Sequence, residues 1–287
     1  MRTYDIYIDE GCSHINIAGN TICNNDIGIY VYGGLPPYEN KDTEIHWNKI
    51  YNNSIYGLIY EIEEGETPFI NATYNFWGNG NGPSNSSMID PITGIEAQGT
   101  GDAIGGGIAN NNIHFDPWIG KLILHKGWNT ICLPIWNDSI ATAEDLGQYI
   151  NSIAGYNICT VITKWDSSKQ RFVSHIVGFG GNFDLKAGEG YFIFMKNAMN
   201  ISINGTIIEP EVNITLHIGY NLVGWCRIYP TNAYEIINET NAEKIGRWLN
   251  EEQKWDVEVI PPAPYNFDVI IGDAVFIKML SPGEWNS

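Results

Sequence analysis

Ile17-Ala18-Gly19-Asn20-Thr21-Ile22-Cys23-Asn24-Asn25-Asp26-Ile27-Gly28-Ile29-Tyr30 returns 28 residues later as Ile45-His46-Trp47-Asn48-Lys49-Ile50-Tyr51-Asn52-Asn53-Ser54-Ile55-Tyr56-Gly57-Leu58-Ile59-Tyr60. One residue is inserted before Gly57. A third, much altered copy begins at Ile70, with Asn75 in the place of Asn20 and Asn48. Within each copy apolar and polar residues alternate over short runs, and Asn-Asn and Gly mark the corners. A repeat of this length with period-2 alternation predicts short strands stacked coil on coil. No coil buries its inner face alone, so stacking must place Ile over Ile. Asn at equivalent corners tolerates left-handed backbone and can bond its neighbour in the next coil.

The coils read as closing at Ile70 to Trp118. Ile70-Asn71-Ala72-Thr73-Tyr74-Asn75-Phe76-Trp77-Gly78 leads to Gly82-Pro83, then to a glycine-rich passage, Gly99 to Gly107, ending at Phe115-Asp116-Pro117-Trp118. Trp77 and Trp118 are expected to plug the end of the core, with sugar stacking as the other role open to them. Gly33 to Asp42, carrying Pro36-Pro37, reads as an excursion between coils.

The Ile-x-x-Asn-x-Ile-x-Asn-Asn-x-x-Gly-Ile coils resemble the right-handed parallel β-helix repeats of pectate-lyase-like, carbohydrate-binding and surface proteins. The passage Ala72 to Gly78, with Gly82-Pro83 and Pro117-Trp118, is similar to the segment that closes such repeats in bacterial and archaeal surface proteins. The resemblance implies the C-terminal end of a parallel β-helix over residues 1–120.

Beyond residue 120 the pattern changes, and it occurs twice. His125-Lys126-Gly127-Trp128-Asn129-Thr130-Ile131 answers His217-Ile218-Gly219-Tyr220-Asn221-Leu222-Val223. Thr142-Ala143-Glu144-Asp145 opens a helix with a capping box, followed by Leu146, Ile150 and Ile153 at helical spacing. Asn232 to Asn238 is its weaker counterpart. Trp165 and Trp248 each precede a polar turn, which reads as a hairpin. Asn182-Phe183-Asp184 answers Asn266-Phe267-Asp268, and a terminal strand follows each. We therefore expect two β-rich modules with one short helix apiece, 121–211 and 212–287, packed about a pseudo-twofold axis. They look like the tandem modules of archaeal cell-surface proteins.

A net charge of −18 opposes a nucleic-acid partner, since a phosphate backbone demands clustered Lys and Arg. No apolar run is long enough to span a bilayer. Met1 to Ile8 alternates like a strand and does not open a signal peptide, so any leader or further coils would lie upstream. The five cysteines, Cys12, Cys23, Cys132, Cys159 and Cys226, show no zinc-type spacing. Buried free thiols are the default, and Cys132 with Cys159 is the bridge considered. Asn-x-Ser/Thr acceptors occur at Asn52, Asn71, Asn85, Asn137, Asn200, Asn204, Asn213 and Asn238, a pattern suited to an exported, glycosylated surface protein.

Catalytic sets are hard to find. The coils offer Asp5, Asp9, Glu10, Asp26, Asp42 and Glu44, with Arg2, Lys41 and Lys49 as bases. They lack the paired aspartates of an inverting hydrolase. At a 28-residue offset His14 lies over Asp42 and His46 over Ala18, so His14, His46, Cys12 and Cys23 do not converge on a metal. Calcium is chemically reasonable at Asp102, at Asp116 or at Glu61, Glu63 and Glu64, but no motif specifies it. His125 and His217 are read as turn formers, Asp184 and Asp268 as turn caps. The recurring Trp128/Tyr220 and Trp165/Trp248 are read as core. The expectation is an exported surface protein of structural, adhesive or self-assembling role, associating through an open end of the coils. The alternative is a protein that binds or processes cell-surface polysaccharide with active coils upstream.

Overall fold

The structure, a computed structural model, describes residues 2–34, 40–62, 69–106, 111–209, 212–256, 259–261 and 265–287. The chain is mainly β, with several small sheets and two short helices. It divides into two compact units, one of residues 1–121 with 202–207, the other of 122–201 with 208–287.

The first unit carries strands β1 (Tyr4–Ile8), β2 (Asn16–Ala18), β3 (Thr21–Cys23), β4 (Ile27–Tyr32), β5 (Glu44–His46), β6 (Lys49–Tyr51), β7 (Tyr56–Glu61), β8 (Ile70–Asn71), β9 (Ile104–Gly106) and β10 (Ile113–His114). They form three parallel arrays, ordered β1-β4-β7-β9, β2-β5-β8-β10 and β3-β6. Ile17 pairs with Ile45 and Ile22 with Ile50, the register that the repeat requires. Corner residues take left-handed backbone at matching places: His14 and Asp42, Asn24 and Asn52, and Gly19, Trp47 and Tyr74. Trp47 and Tyr74 lack glycine's freedom, and their rings stack 4.5 Å apart, which offsets part of the strain.

Two polar ladders run through the coils. Asn20 Nδ2 donates to Asn48 Oδ1 at 3.1 Å, and Asn48 Nδ2 donates to Asn75 Oδ1 at 3.0 Å. In the second ladder Asn25 N donates to Asn53 Oδ1, and Asn53 Nδ2 donates to Asp102 Oδ2 at 2.8 Å. Asn48 is fully buried and also donates to the carbonyls of Ile17 and His46. Its replacement by alanine strands these groups without water. Asn48→Ala should therefore lower unfolding free energy by about 2–4 kcal/mol in a urea titration.

Residues 113–119 fold back onto 70–76: Ala72 N donates to the His114 carbonyl, Tyr74 N to that of Pro117, and Ile119 N to that of Asn75. Trp77 and Trp118 both join the buried cluster of this unit. Gly82 lies flat on Trp118, where a Cβ would come within 2.5 Å of the indole.

One expectation requires correction. The likeness to right-handed parallel β-helix proteins, and to archaeal surface modules, does not describe this chain. What forms is a mainly β chain of small sheets, parallel in one unit and largely antiparallel in the other. A 28-residue repeat fixes which strands pair and in what register. Strands of two to six residues carry no further information about handedness or family. Residues 35–39 of the Gly33–Asp42 excursion, including Pro36-Pro37, lie outside the described residues, as do Glu63, Glu64 and Gly107.

The rest of the chain adds β11 (Lys121–Leu124), β12 (Gly127–Ile131), β13 (Ile135–Trp136), α1 (Ala143–Ala154), β14 (Cys159–Asp166), β15 (Arg171–Ile176), β16 (Tyr191–Met195), β17 (Met199–Ser202) and β18 (Thr206–Ile207). After these come β19 (Asn213–Leu216), β20 (Gly219–Gly224), β21 (Thr231–Asn232), α2 (Ala233–Thr240), β22 (Lys244–Leu249), β23 (Lys254–Trp255), β24 (Asp268–Val269), β25 (Ala274–Met279) and β26 (Gly283–Asn286). Two antiparallel sheets, β12-β16-β14-β15 and β20-β25-β22-β23, repeat one strand order.

Thr142 and Asp145 close the capping box of α1. Leu146 and Ile150 are buried, but Ile153 is 47% exposed, so the apolar stripe is one residue shorter than its spacing suggests. Asn-Phe-Asp proves to be a helix device. The Phe183 and Phe267 carbonyls accept from Ala143 N and Ala233 N, and the Asn182 and Asn266 side chains accept from Glu144 N and Tyr234 N. The asparagine adds an acceptor for the first turn beside the N-caps Thr142 and Asn232, and Asp184 and Asp268, expected as turn caps, lie two residues further on. Those two are held in β pairings with Thr142 and Asn232.

Candidate functional site

The central strands of both sheets are apolar on both faces, and this creates the site. In β16, Tyr191, Ile193 and Met195 are fully buried, while the alternate Phe192 and Phe194 lie on the other face against Trp128. In β25, Val275, Ile277 and Met279 join the core beneath α2, while Ala274 and Phe276 point the other way. A strand with period 2 can do this only if something covers or occupies its second face. Here the two sheets bring those faces together. Phe192, Leu222, Ala274 and Phe276 form a buried strip, flanked by the half-buried Trp128, Trp165, Tyr220 and Trp248.

A reciprocal clasp holds the modules together. Trp248 Nε1 donates to the Trp128 carbonyl at 2.9 Å, and Trp165 Nε1 donates to the Tyr220 carbonyl at 2.7 Å. Gln253 accepts from Trp128 N and donates back to the Trp128 carbonyl, both at 2.7 Å. Gln170 does the same at Tyr220, accepting at 2.8 Å and donating at 2.9 Å. Gly127 and Gly219 make room for these amides: a Cβ there would fall 2.1 Å and 2.4 Å from the glutamine oxygens. Asn129 and Asn221, both buried, bond the backbone N–H and carbonyl of His125 and His217. The asparagine, not the imidazole, shapes each turn.

The clasp leaves two open cavities over the strip. One, of about 310 Å³, is lined by Trp165, Tyr220, Trp255 and Phe276, with Lys244 and Asp256 at its rim. The other, of about 350 Å³, is lined by Trp248, Trp128, Phe172 and Phe192, with Thr163, Ser174 and Trp255. Trp165, Tyr220 and Phe276 correspond in the duplication to Trp248, Trp128 and Phe192, so the cavities are related as the modules are. Their polar edges differ. Lys244 Nζ sits 5.5 Å from the Tyr220 ring, and Asp256 accepts from Arg247 Nε and the Tyr265 hydroxyl, each at 2.9 Å. In the other cavity the Thr163 and Ser174 hydroxyls bond each other at 2.8 Å. Phe172 and Trp255 are each 50% exposed.

No protein-family model, no curated protein and no solved structure matches this chain. Neither family resemblance drawn from the coils or the Gly-Trp-Asn modules therefore carries over, and the site rests on its own geometry.

The reading of Trp128/Tyr220 and Trp165/Trp248 as core is corrected in part: they are half-buried and line cavities. The signal lay in Tyr191-Phe192-Ile193-Phe194 and Val275-Phe276-Ile277, whose uninterrupted apolarity marks strands with two apolar faces.

The candidate residues of the first unit are scattered. His14 faces Asp42 at 3.2 Å, and His46 lies beside Ala18 with its ring on Glu44 and the Thr73 carbonyl. Asp26 is tied to Thr3 and Ser54, and Glu61 to the Tyr30 hydroxyl. Asp116 pairs with Lys121, and Asp102 ends the second ladder, where burial raises its pKa. Among the described residues no three or more His, Cys, Asp or Glu gather as a metal site. Of the glycosylation acceptors, Asn52, Asn200, Asn204, Asn213 and Asn238 are exposed, while Asn71, Asn85 and Asn137 are half-buried.

Beside the aromatic floor a third cavity, of about 220 Å³, is lined by residues including Trp248, Asn250 and Asp273. Burial pushes the Asp273 carboxyl up to about 6, against the opposing pull of Ile270 N–H and Arg247. A carboxyl with a raised folded pKa binds its proton more tightly when folded. Stability is then fullest below the ordinary value of 3.8 and falls as pH rises toward 6. Asp273→Asn keeps an oxygen for Ile270 N and removes the charge. It should stabilise the protein at pH 7 by about 1–2 kcal/mol and change little at pH 3.5, compared by thermal melts at both pH values.

Proposed function

We propose that this chain is an exported, glycosylated surface protein whose C-terminal unit is a non-catalytic adhesive module for carbohydrate. The observation that carries this reading is the pair of aromatic cavities over the Phe192–Phe276 strip. Indole and phenyl faces pack against the C–H faces of sugar rings, while hydroxyl and charged groups at the rim bond sugar hydroxyls. Thr163, Ser174, Lys244 and Asp256 supply such groups. Two related cavities suit a chain with two sugar units seated at once. The net charge of −18 repels acidic polysaccharides, so the ligand is a neutral glycan. A glycan array probed with the purified protein should return neutral oligosaccharides. An array with no binders, or acidic binders alone, contradicts the reading.

A second reading concerns self-association. β1, β2 and β3 are the outer strands of their arrays, and Tyr4 and Tyr7 lie exposed on β1. An outer strand that carries exposed aromatic side chains can pair with a second copy of the chain. Light scattering at rising concentration would show a growing particle, and a constant monomer mass would end this reading. Export is tested by mass spectrometry of the native protein, with glycans expected at the exposed Asn200, Asn204 or Asn238. Among the described residues no helix is long and apolar enough to cross a membrane.

A further inference from the structure

The two modules also meet at a pair of thiols. Cys132 follows the end of β12 and Cys226 follows the end of β20, and their Sγ atoms lie 3.4 Å apart across 94 residues of sequence. Both side chains are buried. Their backbones are pinned: Cys132 N donates to the Gly272 carbonyl at 2.7 Å, and Cys226 N donates to Ser287 Oγ at 3.2 Å. Gly224 is what lets the sulfurs approach, because a Cβ there would lie 2.2 Å from Cys132 Sγ. Cys159, the partner that sequence reasoning considered for Cys132, is instead buried in β14, where its backbone pairs with Met195. None of the five cysteines is joined in a disulfide in this structure.

We propose that Cys132 and Cys226 form a redox site, closing to a disulfide that staples the two modules beneath the aromatic floor. Closure asks for about 1.4 Å of approach to reach a sulfur–sulfur bond near 2.05 Å, a movement within reach of side-chain torsions. The oxidant is a low-molecular-weight disulfide. Either sulfur can donate in this contact; with Cys132 as the donor, ionisation of Cys226 is favoured and, with burial, that of Cys132 is disfavoured. Cys226 is therefore the first nucleophile. Its thiolate attacks one sulfur of the small disulfide, whose S–S bond breaks, and the departing thiolate takes up a proton. Cys132 then loses its proton, and its thiolate displaces the remaining small thiol from Cys226. Two protein thiols are oxidised and one small disulfide is reduced to two thiols. Because both sulfurs are buried, the exchange proceeds during folding or through local opening of the module contact. The inference does not depend on carbohydrate binding.

The test uses the whole chain and oxidised glutathione in two arms: incubation of the folded protein, and refolding from the reduced, denatured state. Each is quenched by alkylation in denaturant and mapped by mass spectrometry. We expect three of the five cysteines to be alkylated in at least the refolding arm, with a reducible cross-link joining the Cys132 and Cys226 peptides. C132S should abolish that cross-link and leave Cys226 as a glutathione adduct or free thiol. Five alkylated cysteines in both arms, a wild-type Cys226 arrested as a glutathione adduct, or a cross-link between other cysteines would each overturn the proposal.

Discussion

Trp77→Ala is expected to destabilise the first unit by about 3–5 kcal/mol, the usual cost of emptying a buried indole site. Trp77 is fully buried within the Ile-rich cluster. Its surroundings are poorly placed to collapse into the space. The Trp77 carbonyl accepts from Asp102 N, and Gly101 packs so close that a Cβ would lie 2.2 Å from that oxygen. Asp102 in turn ends the second polar ladder, so loss of Trp77 loosens packing and ladder together. The indole N–H finds no acceptor among the described residues, which makes Trp77→Phe an informative control. It gives up volume but removes an unsatisfied donor, and should cost about 1 kcal/mol. Urea unfolding followed by circular dichroism separates the two variants. If Trp77→Ala melted like the parent but lost a sugar ligand, the binding site would belong to the first unit and not to the aromatic cavities.

The second large effect concerns binding and leaves the fold in place. Trp255 and Phe172 are half exposed and contribute faces to the cavities. Trp255 meets Phe276 and Trp248 edge to face, and Phe172 meets Trp165 likewise. Neither ring carries the clasp, which runs through Trp165, Trp248, Gln170 and Gln253. Trp255→Ala should weaken glycan binding by about tenfold or more, and Phe172→Ala by somewhat less, because a phenyl ring offers less area. Both variants should unfold within about 1 kcal/mol of the parent. Trp248→Ala behaves differently: it breaks the hydrogen bond to the Trp128 carbonyl and should cost stability as well as binding.

The parts of this protein that repeat were legible, because repetition encodes register. Ile17 over Ile45 and Asn20 beside Asn48 follow from a 28-residue offset alone. Thr142 with Asp145 was legible because a capping box is a local device. Family was not legible. The coil pattern reports the spacing of buried isoleucines, which any short parallel strand stack shares. The cavities were missed for a related reason: a recurring tryptophan looks the same whether its second face meets core or solvent. Only the pairing of two sheets, face toward face, decides between those. The Cys132–Cys226 contact was equally hidden, since it joins positions that are not equivalent in the duplication and lie 94 residues apart.

Affinity electrophoresis tests the central claim most directly. The parent and the Trp255→Ala/Phe172→Ala double variant are run through native gels cast with a series of soluble neutral polysaccharides, beside a polysaccharide-free gel. The parent should be retarded in at least one gel, with the double variant running freely in all of them while keeping the parent's melting temperature. Free migration of the parent in every gel, or equal retardation of the parent and the double variant, would contradict an aromatic carbohydrate site on the C-terminal unit.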